Sequence, residues 1–89
     1  ALLCQELAER MRAGPFEDIV SENYPTEAGL SLTHTEAVQP RMIPCQRAVT
    51  ITDESEEDLP ARRVLVEVTW QAMGRNRRES YETVIYSFE

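Results

Sequence analysis

Residues 62–70 read RRVLVEVTW, the clearest period-two run in the chain. Val64, Val66, Val68 and Trp70 fall on one face; Leu65, Glu67 and Thr69 fall on the other. Successive side chains of a strand point to opposite faces, so the run predicts a strand with one buried and one wet side. Such a strand belongs in an antiparallel sheet and needs a cover for its apolar face. Two further runs suit its flanks. Residues 46–52 (QRAVTIT) alternate Val49 and Ile51 with Thr50 and Thr52, and residues 79–88 (ESYETVIYSF) are rich in aromatic and β-branched residues. In the last run two sets compete for the inside: Tyr81, Thr83 and Ile85, or Val84, Tyr86 and Phe88. Gly74 and Asn76 in the link 71–78 suit a hairpin. Short links join antiparallel neighbours, so a β-meander is expected over about residues 46–88.

The cover lies at the other end of the chain. Residues 1–14 are ALLCQELAERMRAG. Cys4, Leu7, Ala8 and Met11 recur at i, i+3, i+4 and i+7, one face of a helix, and Leu3 widens the stripe. Gln5, Glu6, Glu9, Arg10 and Arg12 fall mainly on the opposite side. Glu6 precedes Arg10 by four residues, the favourable order along a helix, and the two arginines suit its C-terminal end. Gly14 and Pro15 stop it, so the helix is expected over about residues 1–13. No Ser, Thr, Asp or Asn precedes the first apolar residue as a cap, and we therefore expect the lower part of a longer helix. Between helix and meander, residues 15–44 lose periodicity. Phe16, Ile19 and Val20 at i, i+3 and i+4 fit one helical turn; the remainder is expected to be a variable loop anchored by Tyr24 and Leu30. The predicted fold class is α+β: one domain over residues 1–89, with an N-terminal helix packed on a small antiparallel meander of three or more strands.

Composition narrows the function. Sixteen acids face nine bases, all arginine, for a net charge of −7. That balance argues against nonspecific nucleic-acid binding, which needs cations to neutralise phosphates. The basic stretch 75–78 (RNRR) is short and is followed by Glu79 and Glu82, which fits a solvated turn better than a phosphate site. No run approaches the ~20 apolar residues of a membrane span. His34, in LTHTEA, has no evident partner and is expected to be an exposed loop histidine. There is no nucleophile elbow and no Gly-rich phosphate loop. The acidic run 53–58 lacks the spacing and glycine of a calcium-binding EF-hand loop, so a solvated loop is the better reading and calcium the lesser one. No catalytic, cofactor or metal constellation emerges, and an enzyme is not expected. Cys4 and Cys45 fit no metal spacing. They allow either one disulfide, worth roughly 4 kcal/mol in the chain-entropy model, or two buried thiols. Trp70, in phase with three valines, is expected in the core; Tyr86 and Phe88, if exposed, would form an association surface.

The helix ending in LAERMRAG, the variable middle and the closing pattern RRVLVEVTW…GRNRRESYETVIYSFE together resemble the type IV pilin superfamily, in particular its minor pilins and the minor pseudopilins of type II secretion. The likeness covers the two ends, about half of the chain. It implies a non-catalytic structural subunit whose amphipathic half-helix, Leu3 to Arg12 here, packs on an antiparallel sheet. It also implies an apolar, membrane-anchoring half-helix ahead of residue 1, a prepilin-peptidase site and N-terminal methylation; those markers are not in residues 1–89, which we expect to be a domain separated from them. Implied partners are other pilin or pseudopilin subunits and the inner membrane, with the domain in the periplasm. That oxidising compartment would permit a Cys4–Cys45 bridge. The alternative is a soluble acidic α+β binding module, an adaptor or inhibitor, that meets a basic protein through residues 53–58.

Overall fold

The structure, a computed structural model, describes residues 2–34 and 41–87. Helix α1 (Leu2–Ala13) is followed by two 3₁₀ turns, Phe16–Asp18 and Ser21–Asn23. Then come β1 (Glu27–His34), β2 (Arg41–Asp53), β3 (Ala61–Ala72) and β4 (Arg75–Tyr86). The strands form one sheet in the order β1-β2-β3-β4, every pair antiparallel. The protein is an α+β domain, an N-terminal helix on a four-stranded meander.

The apolar stripe of α1 lands on the face that the RRVLVEVTW run offers it. Cys4, Leu7, Ala8, Met11, Val64, Val66 and Val68 are all buried, joined by Ile19, Cys45, Ala61 and Ile85. Leu3 and Trp70 are partly buried and pack against the same cluster. Antiparallel register aligns the inward sets: Val66 faces Val49 and Tyr81, and Val64 faces Ile51 and Thr83. This resolves the ambiguity of the last strand, since Ile85 is buried while Val84 is partly and Tyr86 45% exposed. Phe88 lies outside the described residues. Beyond Gly14, whose N–H donates to the Met11 carbonyl, the two 3₁₀ turns continue the cover towards β2. Phe16 lies beneath the Arg62 guanidinium, 4.9 Å from its ring centre.

Residues 15–44 are not mainly loop: they hold the two 3₁₀ turns, all of β1 and the start of β2. Only Leu30 and Leu32 alternate there, between Gly29 and Pro40, too short a signal to separate strand from loop. Pairing with β2 makes β1 a strand, and β2 runs through Pro44 because β3 joins it only from Cys45 onward. Pro44 therefore sits where β2 has β1 alone as neighbour, the edge setting in which a missing N–H is tolerated.

Between Glu27 and Leu30 the register with β2 slips by one residue, at Gly29 with φ +78°. The bulge changes parity. Glu27 and Leu30, three apart, would face opposite sides of a regular strand, yet here both side chains turn towards the face under α1. At the other turn of note, Met73 and Gly74 (φ +54° and +74°) form the two-residue loop between β3 and β4. Positive φ at both positions favours Asn-Gly, and Met73 is 97% exposed. Met73→Asn is expected to raise stability by about 0.5–1 kcal/mol, read from the midpoint of urea unfolding.

The domain is elongated, 52 × 19 × 18 Å. Twelve helical residues span about 18 Å, whereas twelve strand residues span about 40 Å. Cys4 contacts the carbonyl of Glu79 and Arg12 reaches Thr83, so α1 lies along the part of β4 distal to its hairpin. The remaining length of the sheet, from Trp70 to the 73–74 turn, extends past the helix.

Candidate interaction surface

Three features outside the apolar core carry chemistry: a buried arginine, the outer face of α1, and the two ends of the sheet. Arg47 is in phase with Cys45, Val49 and Ile51 on β2, which sends its side chain under the helix; it is 3% exposed. Its guanidinium makes four hydrogen bonds. Nη1 donates to Glu6 Oε2 at 2.7 Å and to the Leu3 carbonyl at 3.1 Å; Nη2 and Nε donate to Glu27 Oε1 at 2.8 and 3.1 Å. One cation thus ties α1, β1 and β2 together. Burial alone would weaken its charge, but the hydrogen bonds it donates to Glu6 and Glu27, with their negative charges, outweigh this and hold the guanidinium protonated. The sequence carried a signal for it, a charge at an inward position between apolar residues, and reasoning from hydropathy alone passes over it.

The hydrogen bond from Arg47 also holds the Glu6 carboxyl below its ordinary value of 4.5. A carboxylate whose value is depressed on folding stabilises the fold above its unfolded value, and that contribution fades as pH falls through the folded value. Stability is therefore expected to decline on acidification below about pH 4.5, with a smaller decline in Arg47→Met. Urea unfolding from pH 7 to pH 3 measures both. Asp53, bonded to Ser55, and Glu54, bonded to Arg63, are depressed as well and shift stability in the same sense.

The outer face of α1 is charged and self-paired. Arg10 bonds Glu6 at 2.8 Å and Arg12 bonds Glu9 at 2.9 Å, while Arg12 also donates to Thr83 Oγ1 at 2.7 Å. These residues are exposed.

At one end of the sheet, the β2–β3 link closes in a tight turn: Glu56 and Leu59 bridge, with Glu57 and Asp58 at its corners. Asp53 and Glu54 are neutralised by Arg62 and Arg63. Glu56, Glu57 and Asp58 face solvent with no cation within bonding distance among the described residues. The opposite end is basic. Arg75 and Arg77 are exposed and unpaired among the described residues; Arg78 meets Glu67 at 3.5 Å. Beside them an open groove of about 1020 Å³ is lined by Trp70, Gln71, Asn76, Arg77 and Arg78 from β3 and β4, with Gly29 and Cys45 among those from β1 and β2.

The other predicted residues fall as follows. Cys4 and Cys45 are both buried in one cluster as free thiols. Burial pushes both thiols up, and the Cys4 thiol donates to the Glu79 carbonyl at 3.7 Å. In the reduced native protein they are expected to react with an aromatic disulfide reagent at least ~100-fold more slowly than in urea. His34 is not in a loop: it ends β1, opposite Arg41. Among the described residues, no group of three or more His, Cys, Asp or Glu is placed to hold a metal ion, and no helix is long and apolar enough to cross a membrane.

The fold is an α+β domain, a helix clamped on a four-stranded meander, compatible with a pilin-like arrangement. A comparison with protein-family models, curated proteins and solved structures finds no match to this chain.

Proposed function

We propose that this domain is the periplasmic part of a minor pilin or minor pseudopilin, a non-catalytic subunit of a bacterial type IV pilus or type II secretion filament. The observation that carries the proposal is the seating of α1. Its apolar stripe is buried against β3 and β4, while Glu6, Glu9, Arg10 and Arg12 stay outward as paired charges. A helix used on both sides suits a subunit that holds its own sheet with one face and neighbouring helices with the other. The Arg47 clamp, which grips the Leu3 carbonyl and Glu6, resists peeling of that helix when force or neighbours act on it.

Two measurements test the assignment. The coding sequence ahead of residue 1 should specify a short basic leader and about twenty apolar residues. Glu9→Cys, placed on the outer face of α1 in the full-length protein, should cross-link to other pilin-type subunits in isolated envelopes. A start codon adjoining residue 1, or cross-linking to no subunit of that kind, would overturn it.

A further inference from the structure

We propose that the two ends of the sheet are complementary, and that the domain binds a second copy of itself head to tail, the acidic 56–58 turn of one copy seated at the basic 75–78 end of the next. This goes beyond the filament reading, because it uses neither α1 nor any anchor and stands on charge placement alone.

The two ends cannot neutralise each other within one molecule. β3 connects them, and its twelve residues (Ala61–Ala72) hold them roughly 40 Å apart. The Debye length at physiological ionic strength is only about 8 Å. Each end also lacks a local solution. Arg62 and Arg63 are committed to Asp53 and Glu54, which leaves Glu56, Glu57 and Asp58 as surplus. Glu67 answers Arg78 weakly, which leaves Arg75 and Arg77. In a chain of net charge −7 a basic end is drawn to acidic surface, and the 56–58 turn offers three exposed acids in succession with no ion pair among the described residues.

Shape agrees with charge. The acidic turn is narrow, closed by the Glu56–Leu59 bridge, and it projects from the sheet end. The basic end offers an open groove whose lining includes Trp70, Asn76, Arg77 and Arg78. A planar guanidinium is suited to carboxylates, and the groove amides supply further donors. Different patches meet on the two copies, so the contact is heterologous and propagates as an open row along the 52 Å axis unless a rotation closes it. Exposed ion pairs are individually weak, so the row forms at high local concentration or where another contact already aligns the copies.

Sedimentation velocity and amide chemical-shift changes on dilution of this 89-residue domain test the idea at low and high salt. The wild type should self-associate at low ionic strength, with shifts confined to residues 56–59 and 70–78, and association should fall at least about fivefold at 0.5 M salt. The Arg75→Glu/Arg77→Glu variant and the Glu57→Arg/Asp58→Arg variant should each be monomeric alone and should associate when mixed with each other. The milder Arg77→Gln should weaken association in the wild-type frame. A wild type monomeric at millimolar concentration in low salt, association indifferent to these substitutions, or a basic end that binds inorganic polyphosphate but not a second copy would each overturn the proposal.

Discussion

Leu7→Ala is expected to lower the stability of this domain by about 3 kcal/mol, enough to leave a large unfolded fraction at 37 °C. Leu7 is among the largest fully buried side chains, and it sits where the α1 stripe meets the valines of β3. Truncation removes its transfer free energy and leaves a cavity that the rigid sheet on one side cannot fill. The same side chain attaches the helix to the meander. Without the helix, the buried face of β3 and β4 would be open to water, so the loss is expected to be cooperative and not confined to α1. Urea unfolding followed by both far-ultraviolet circular dichroism and Trp70 fluorescence measures it. Glu9→Ala, on the exposed face of the same helix, should stay within about 0.5 kcal/mol of wild type. A Leu7→Ala effect no larger than that of Glu9→Ala would show that the helix is not seated as described.

The second large effect belongs to Arg47, and it depends on what replaces it. Arg47→Ala is expected to cost about 2–3 kcal/mol. Its aliphatic stem is buried with the core, and its loss unties Glu6, Glu27 and the Leu3 carbonyl at once. The cost stops short of the ~3–5 kcal/mol typical of breaking a fully buried pair. Glu6 and Glu27 are 52% and 40% exposed, so water takes them back when the arginine is gone. Arg47→Met keeps the volume without the charge, and is expected to cost about 1 kcal/mol or less. The difference between the two variants separates packing from charge. In a Glu6→Gln/Arg47→Met double variant the losses should be less than additive, because each removes the same bond.

Arg47 also marks the limit of the sequence. The alternation Val64, Val66, Val68, Trp70 and the helical stripe Cys4, Leu7, Ala8, Met11 were enough to foresee a helix on a meander, because each pattern has a distinct period and only one apolar face to bury. A hairpin within residues 71–78 followed from Gly74, Asn76 and the shortness of the link; the pairing of Ala72 with Arg75 narrows its loop to Met73 and Gly74. β1 escaped, because two leucines beside a glycine look the same in a strand and a loop until a partner strand is present. The inward face of β4 was undecidable for a related reason: both of its faces carry apolar residues, and the register with β3 selects Ile85 over Val84.

The candidate surfaces divide in the same way. The acidic run 53–58 and the basic run 75–78 are legible as charge, but their separation to opposite ends of one strand is a property of the sheet. So is the distinction between acids answered by Arg62 and Arg63 and those left over.

What the sequence determined by itself is therefore the class of each segment and which face of it is oily: periodicity is local, and every residue needed to see it lies within a dozen neighbours. The tertiary structure alone decided which faces meet, which charges are spent, and where Glu27 points. A single extra residue at Gly29 reverses the parity of β1, and only with that reversal does a carboxylate twenty positions from Arg47 come to lie beneath the helix beside it.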